Sequence, residues 1–192
     1  GRLLVWNSQN GKFRQLPIIH ADGAAHDLTF IDGTRYLVSA SRGEVIVSDL
    51  AAGSSVGRLR IQADHPQLAV ARLTSDVFIA DDLGGVTQWN WQSGQARRLV
   101  KTDNRIRKIA VTADGSKMLT ADEQDRLTLW DVATLQPLPQ SVQAAGKVDT
   151  IRIVADDTRV VVQAGTWLQQ LAFSSTGMTV LHTRMLPFAP VA

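Results

Sequence analysis

The sequence predicts an all-β chain of repeated four-stranded antiparallel sheets, and three observations predict it. Short runs of strand-forming residues alternate with Gly, Asp and Asn turn signals along the chain. A Trp-containing strand returns at a nearly fixed spacing. No segment carries the apolar period of an amphipathic helix. With 44% hydrophobic residues in 192, the chain can build a sizeable core, and disorder is excluded.

Leu4-Val5-Trp6-Asn7, Gln88-Trp89-Asn90 and Leu129-Trp130-Asp131 mark one strand of successive units. Trp89 and Trp130 are 41 residues apart, and 41 residues before Trp89 stands Ser48, which closes the strand Val45 to Asp49. A further 42 back is Trp6, and 41 beyond Trp130 is Leu171. The turns Asp32-Gly33-Thr34, Thr74-Ser75-Asp76, Asp114-Gly115-Ser116 and Asp156-Asp157-Thr158 keep the same register. Their Asp and Gly residues suit hairpin tips. Leu37, Phe78, Leu119 and Val160 occupy the strand after each tip, and Gly11, Gly53 and Gly94 mark a second hairpin per unit.

Each unit reads as four strands; in the third they run from Arg105 to Thr112, Lys117 to Ala121, Arg126 to Val132 and Gln136 to Val142. The pattern predicts a β-propeller of about four complete four-stranded blades plus an N-terminal two-strand remnant, an incomplete ring. The divisions fall at 1–17 for the remnant, then 18–61, 62–101, 102–143 and 144–186 for the blades, and 187–192 for a tail, all in one domain. The missing blades are expected in an N-terminal part of the same polypeptide or in a further chain. A small closed ring, with Leu3 to Asn7 pairing with the last blade, is the other option.

The stretch Ile109 to Asp122, running on to Leu129-Trp130-Asp131, resembles a WD-repeat (WD40-type) blade, and the other units resemble it more loosely. The resemblance implies protein or peptide partners and a ring usually closed by seven blades. Blades of that family carry an Asp six residues before the Trp, bonded to a His near the blade start; here those places hold Arg42, Leu83, Gln124 and Gly165, so the blades are degenerate. Trp89-Asn90-Trp91-Gln92-Ser93-Gly94 is also similar to quinoprotein-like repeats.

Chemistry is sparse. The net charge of +2 gives no case for nucleic acid, and the absence of Cys removes disulfides, thiolate sites and Cys nucleophiles. No apolar run approaches a membrane span. His20, His26, His65 and His182 fall out of register without metal-ligand spacing and read as turn or surface residues. No hydrolase, zincin, Walker or dinucleotide motif occurs, so no catalytic residue, metal or cofactor is expected. Asp81-Asp82 and Asp122-Glu123 follow the second strands of their blades, with Asp64 and Asp103 in inter-blade loops, and could share a rim of mixed sign with Lys101, Arg105 and Lys147.

The candidate interaction surface comprises the basic stretch Arg97, Arg98, Lys101, Arg105, Arg107 and Lys108 together with Trp91 and Trp167. Trp6, Trp89 and Trp130 hold the repeat position and are expected to pack between blades. Core burial is the ordinary place for Trp91 and Trp167 too, but outside that position they are the candidate anchors. The expected function is a non-catalytic protein-interaction scaffold, part of a longer protein or complex, bacterial in look and cytoplasmic, with a periplasmic site left open. The competing reading is a quinoprotein- or lactonase-like propeller whose Asp81, Asp82, Asp122 and Glu123 hold a cation or cofactor near the axis. A third places an activity in an N-terminal region that this segment regulates.

Overall fold

The computed structural model describes residues 3–16, 20–21, 23–31, 33, 35–154, 157–174 and 177–187. Arg2 and Pro17 at the ends of the expected remnant, the turn residues Asp32, Thr34 and Asp156, and the tail from 188 lie outside them. The described residues form strands and turns, with no helix. A two-stranded sheet pairs β1 (Leu4–Trp6) with β2 (Phe13–Gln15). Next come β3 (Ala25–Ile31), β4 (Tyr36–Ser41), β5 (Glu44–Asp49) and β6 (Ser54–Arg60), a four-stranded antiparallel sheet in chain order. The second is β7 (Gln67–Ala71), β8 (Asp76–Ala80), β9 (Gly85–Asn90) and β10 (Ala96–Lys101).

The third comprises β11 (Ile106–Val111), β12 (Lys117–Asp122), β13 (Arg126–Asp131) and two short strands, β14 (Gln136–Pro137) and β15 (Val142–Gln143), both paired to β13. The single strand expected from Gln136 to Val142 is therefore broken. Pro137 and Pro139 have no amide to donate, so a continuous ladder cannot run through them. The fourth sheet is β16 (Val148–Ile153), β17 (Arg159–Ala164), β18 (Trp167–Ser174) and β19 (Gly177–Met185).

The core is a succession of layers between neighbouring sheets. Leu3 and Leu16 pack with Leu37 and Ile46; Val38, Val45 and Val47 with Leu68, Val77, Ile79 and Trp89; Phe78, Ala80 and Val86 with Ile106, Ile109 and Met118; Leu119, Leu127 and Leu129 with Ile151, Val160 and Leu171. The middle strands therefore alternate between two cores. On β8, Val77 and Ile79 face the first sheet while Phe78 and Ala80 face the third. This explains why period-2 polarity is weak in the sequence: both faces of a middle strand are dry.

The same layers correct the 41-residue register in the second strands. Leu37, Phe78, Leu119 and Val160 all lie on them and are buried. Yet Leu37 and Val160 face the preceding sheet, whereas Phe78 and Leu119 face the following one. The residues that share a face are Leu37, Val77, Met118 and Val160, each paired with a repeat position, Ser48, Trp89, Trp130 or Leu171. A slip of one residue changes the face, so a count along the chain cannot fix it.

Between third and fourth strands one device recurs. The side chains of Asn7, Asp49, Asn90 and Asp131 accept turn amides, from Gln9, Ala51, Ser93 and Ala133 among others. Their carbonyls accept the amides of Gly11, Gly53, Gly94 and Leu135 at 2.8–2.9 Å. Gly94 has φ of 75°, and Leu135, which stands where the other turns have Gly, holds φ of 59°. Nothing lies within 4 Å of a Cβ built on Gly94, so a substitution there meets backbone strain alone. Gly94→Ala is expected to cost about 1 kcal/mol, read as a lower urea midpoint at unchanged m-value; an unchanged midpoint would contradict this turn geometry.

Candidate interaction surface

One rim gathers the turns between second and third strands and the linkers between sheets. Gly43 donates its amide to the Ala63 carbonyl, and Arg42 pairs with Asp64 at 2.7 Å. Asp82 accepts the amides of Asp64 and His65 through one oxygen. Its other oxygen faces Arg105 at 2.8 Å, a charge contact without the alignment of a hydrogen bond. Burial works to raise the Asp82 carboxyl, but the His65 and Asp64 amides and the Arg105 charge outweigh it and hold the group below the usual range. Further along, Val148 donates to Asp125 at 2.8 Å. The rim is mixed in sign.

Asp81 and Asp122 are turn-formers. One oxygen of each accepts two turn amides, those of Leu83 and Gly85 and those of Gln124 and Arg126, at 2.7–2.9 Å. The other oxygen takes Arg98 at 2.9 Å in Asp81 and Asn104 at 3.1 Å in Asp122. A cation at either group would have to displace bonds that shape the turn.

The basic stretch divides. Arg97 lies on β10 and donates to Gln88 at 2.8 Å, away from the rim. Arg98 and Arg105 are paired with Asp81 and Asp82, and Lys108 donates to Gln67 at 3.2 Å. Among the described residues no carboxylate pairs with Lys101 or Arg107. His65, Gln67, Arg105, Arg107, Lys108 and Glu123 line one hollow of about 490 Å³. Beside it, Lys101, Asp103 and Arg105 line another of about 690 Å³.

The tryptophans differ by layer. Trp89 is buried, and half-buried Trp130 donates its Nε1 hydrogen to Thr120 Oγ1 at 2.9 Å. Trp6 holds the same repeat position but is 67% exposed, because among the described residues no sheet covers that side of β1 and β2. Trp91 is half-buried, its ring 5.0 Å from that of Tyr36. Trp167 is 36% exposed at the start of β18.

His20 is a correction. Expected at a turn or surface, it is 2% exposed. Its Nδ1 lies 3.2 Å from Glu44 Oε1 and its Nε2 2.8 Å from Ser39 Oγ. Glu44 also accepts the Ala21 amide and pairs with Arg58 at 3.0 Å. With both Glu44 oxygens accepting, Nδ1 carries the hydrogen and Nε2 accepts from Ser39. Sequence reading missed the pair because the carboxylate stands at 44, two residues beyond the place checked at Arg42. His26 and His65 meet edge to face at 4.9 Å, and His182 is exposed.

Where the first strands of the four sheets begin, Asp27, Gln67, Lys108 and Thr150 occupy matching positions, each one residue before Leu28, Leu68, Ile109 or Ile151. All four line one cleft of about 140 Å³. Asp27 accepts the Leu68 amide across the junction at 2.7 Å. Three of these strands carry a bulge just before this point, at His26, Arg107 and Asp149, which re-aims side chains where the sheets converge. Among the described residues no His, Asp or Glu group is arranged to hold a metal ion.

No protein-family model matches the chain, and no curated protein matches it.

Burial lowers the His20 pKa more than the neighbouring Glu44 raises it, and Arg58 adds to the lowering. The unfolded chain therefore takes up a proton at higher pH than the folded one, and stability falls as pH drops from the ordinary histidine value through the depressed one. Between about pH 8 and about pH 5.5, the urea midpoint should fall further for the native chain than for His20→Gln. Equal falls would show that His20 is not held neutral.

Proposed function

We propose that the chain is part of a β-propeller of the WD-repeat kind and serves as a non-catalytic scaffold binding protein or peptide segments on its rim. One observation carries this reading: β7 packs beside β3, β11 beside β7 and β16 beside β11, around one cleft. Sheets joined through their first strands place their turns and linkers on a common rim. There they can meet a partner as one surface while the sheets hold it rigid. The sheets belong to a longer protein or complex that completes the ring.

The contact is assigned to the hollow bounded by Arg105, Arg107 and Lys108, where Arg107 has no carboxylate partner among the described residues and Lys108 meets an amide. A partner segment with Asp or Glu supplies the missing charge. The reading of Asp81, Asp82, Asp122 and Glu123 as a cation or cofactor site is the weaker one, since the first three are engaged in turns, linkers and ion pairs.

The test is a photo-crosslinking residue introduced in place of Arg107, with a control in place of Ser55 on the outer strand β6, in the full-length protein in its own cells. Discrete protein adducts at 107 and none at 55 are expected, weakened at least ~10-fold by Lys108→Glu. No adduct at 107, together with a rise in melting temperature on adding calcium or a quinone, would transfer the assignment to the cofactor reading.

A further inference from the structure

Leu28, Leu68, Ile109 and Ile151 occupy one structural place, the first-strand residue paired with Ser39, Ile79, Thr120 and Val162 respectively. Leu68, Ile109 and Ile151 are 8%, 8% and 4% exposed, each packed against the preceding sheet, but Leu28 is 49% exposed. Phe30, two residues on, is 51% exposed, whereas its counterparts Val70, Val111 and Ile153 are half-buried in those same layers. At the far end of the row the corresponding outer positions of the fourth sheet include Thr150, Arg152, Gln163 and Gln170, which water can face.

The reason lies in β1 and β2. Trp6 aligns with Ser48, Trp89, Trp130 and Leu171, all on third strands, so β1 and β2 hold the third and fourth places of a sheet whose first and second no strand takes among the described residues. They cover the middle of the β3–β6 sheet, through Leu3 and Leu16 on Leu37 of β4 and Ile46 of β5. On the first strand, β3, Leu28 and Phe30 stay bare, and the inner edge of β1 has no strand beside it among the described residues. Two apolar side chains and an open strand edge together form a receptor for two strands, not a solvent face.

We infer that this face is the seat of a β-hairpin, joined in the same polypeptide to the N-terminal end of β1, which completes the β1–β2 sheet to four strands and buries Leu28 and Phe30. A hairpin fits because in the complete sheets the second strand reaches the third by a short turn, as from Ser41 to Glu44 or Asp122 to Arg126. The strand beside β1 is then the one that runs into it. This inference rests on the stacked-sheet reading above and names which part is missing.

The chain supplies its own probe. Residues 105–125 carry β11, β12 and the turn into β13. Placed directly before Arg2, they put Asp125 ahead of Arg2 just as it precedes Arg126. In this extended protein the amides of residues 4–6 and 28–30 should exchange at least ~10-fold more slowly than in the 192-residue chain, and binding of an anilinonaphthalene sulfonate dye should fall. Leu28→Lys with Phe30→Lys in the 192-residue chain should abolish the same dye binding without loss of the melting transition.

Unchanged exchange and dye binding in the extended protein would overturn the inference. So would a concentration-dependent dimer of the 192-residue chain dispersed by Leu28→Lys, which would give the face to a second copy. Loss of protection across β8 and β12, which the extension does not touch, would instead count against the stacked-sheet reading itself.

Discussion

Everything in this molecule depends on the two-sided burial of its middle strands. β5 is buried along its whole length and β8 nearly so, with successive side chains directed into different layers. Each large apolar side chain removed from water in this way stabilises the fold by roughly 1.5–3 kcal/mol, but only while sheets stand on both sides. A sheet of this kind is not a stable unit alone; it is half of two interfaces. Position in the row then decides which side chains are dry, and Trp89 and Trp6, with the same place in the repeat, differ because among the described residues the first has a preceding sheet and the second does not.

Polar groups tie the second strand of a sheet to its third. Across each of the first three sheets a side chain at the start of the second strand meets one at the end of the third, fourteen residues on: Arg35 with Asp49, Asp76 with Asn90, Lys117 with Asp131. The polarity reverses in the middle pair, so the place is kept although the residues are not. The Lys117 ammonium beside Asp131, with the amide and hydroxyl of Thr134, holds that carboxyl well below the usual carboxylate range. Where the repeat position lacks Trp, at Ser48, the buried trio of His20, Ser39 and Glu44 ties the chain entering that sheet to its second and third strands.

Strand identity was legible because turn chemistry is local: Asn or Asp followed four residues later by Gly marks a hairpin wherever it falls. Facing was less legible, since the second strands of sheets one and two are related by 40 residues where 41 was counted, and a single residue inverts the face. Leu135 hid its turn by holding a left-handed backbone without glycine. His20 hid its partner because burial is a tertiary property, and the carboxylate it meets stood two places from where it was sought. The basic stretch read as one patch in sequence, but β10 and β11 belong to different sheets, and the fold sends Arg97 outward while Arg105, Arg107 and Lys108 come together.

The stacking of one sheet on the next can be tested by covalent trapping, which a chain without cysteine makes simple. A Cβ built on Gly57, in the outer strand of the first complete sheet, lies 3.6 Å from that of Trp91, just after β9 in the second, within the span a disulfide bridges. Gly57→Cys with Trp91→Cys should oxidise to an intramolecular disulfide in the native protein and keep a cooperative melting transition. Thiols that remain free under native oxidising conditions, and close only after unfolding, would contradict the stacked arrangement.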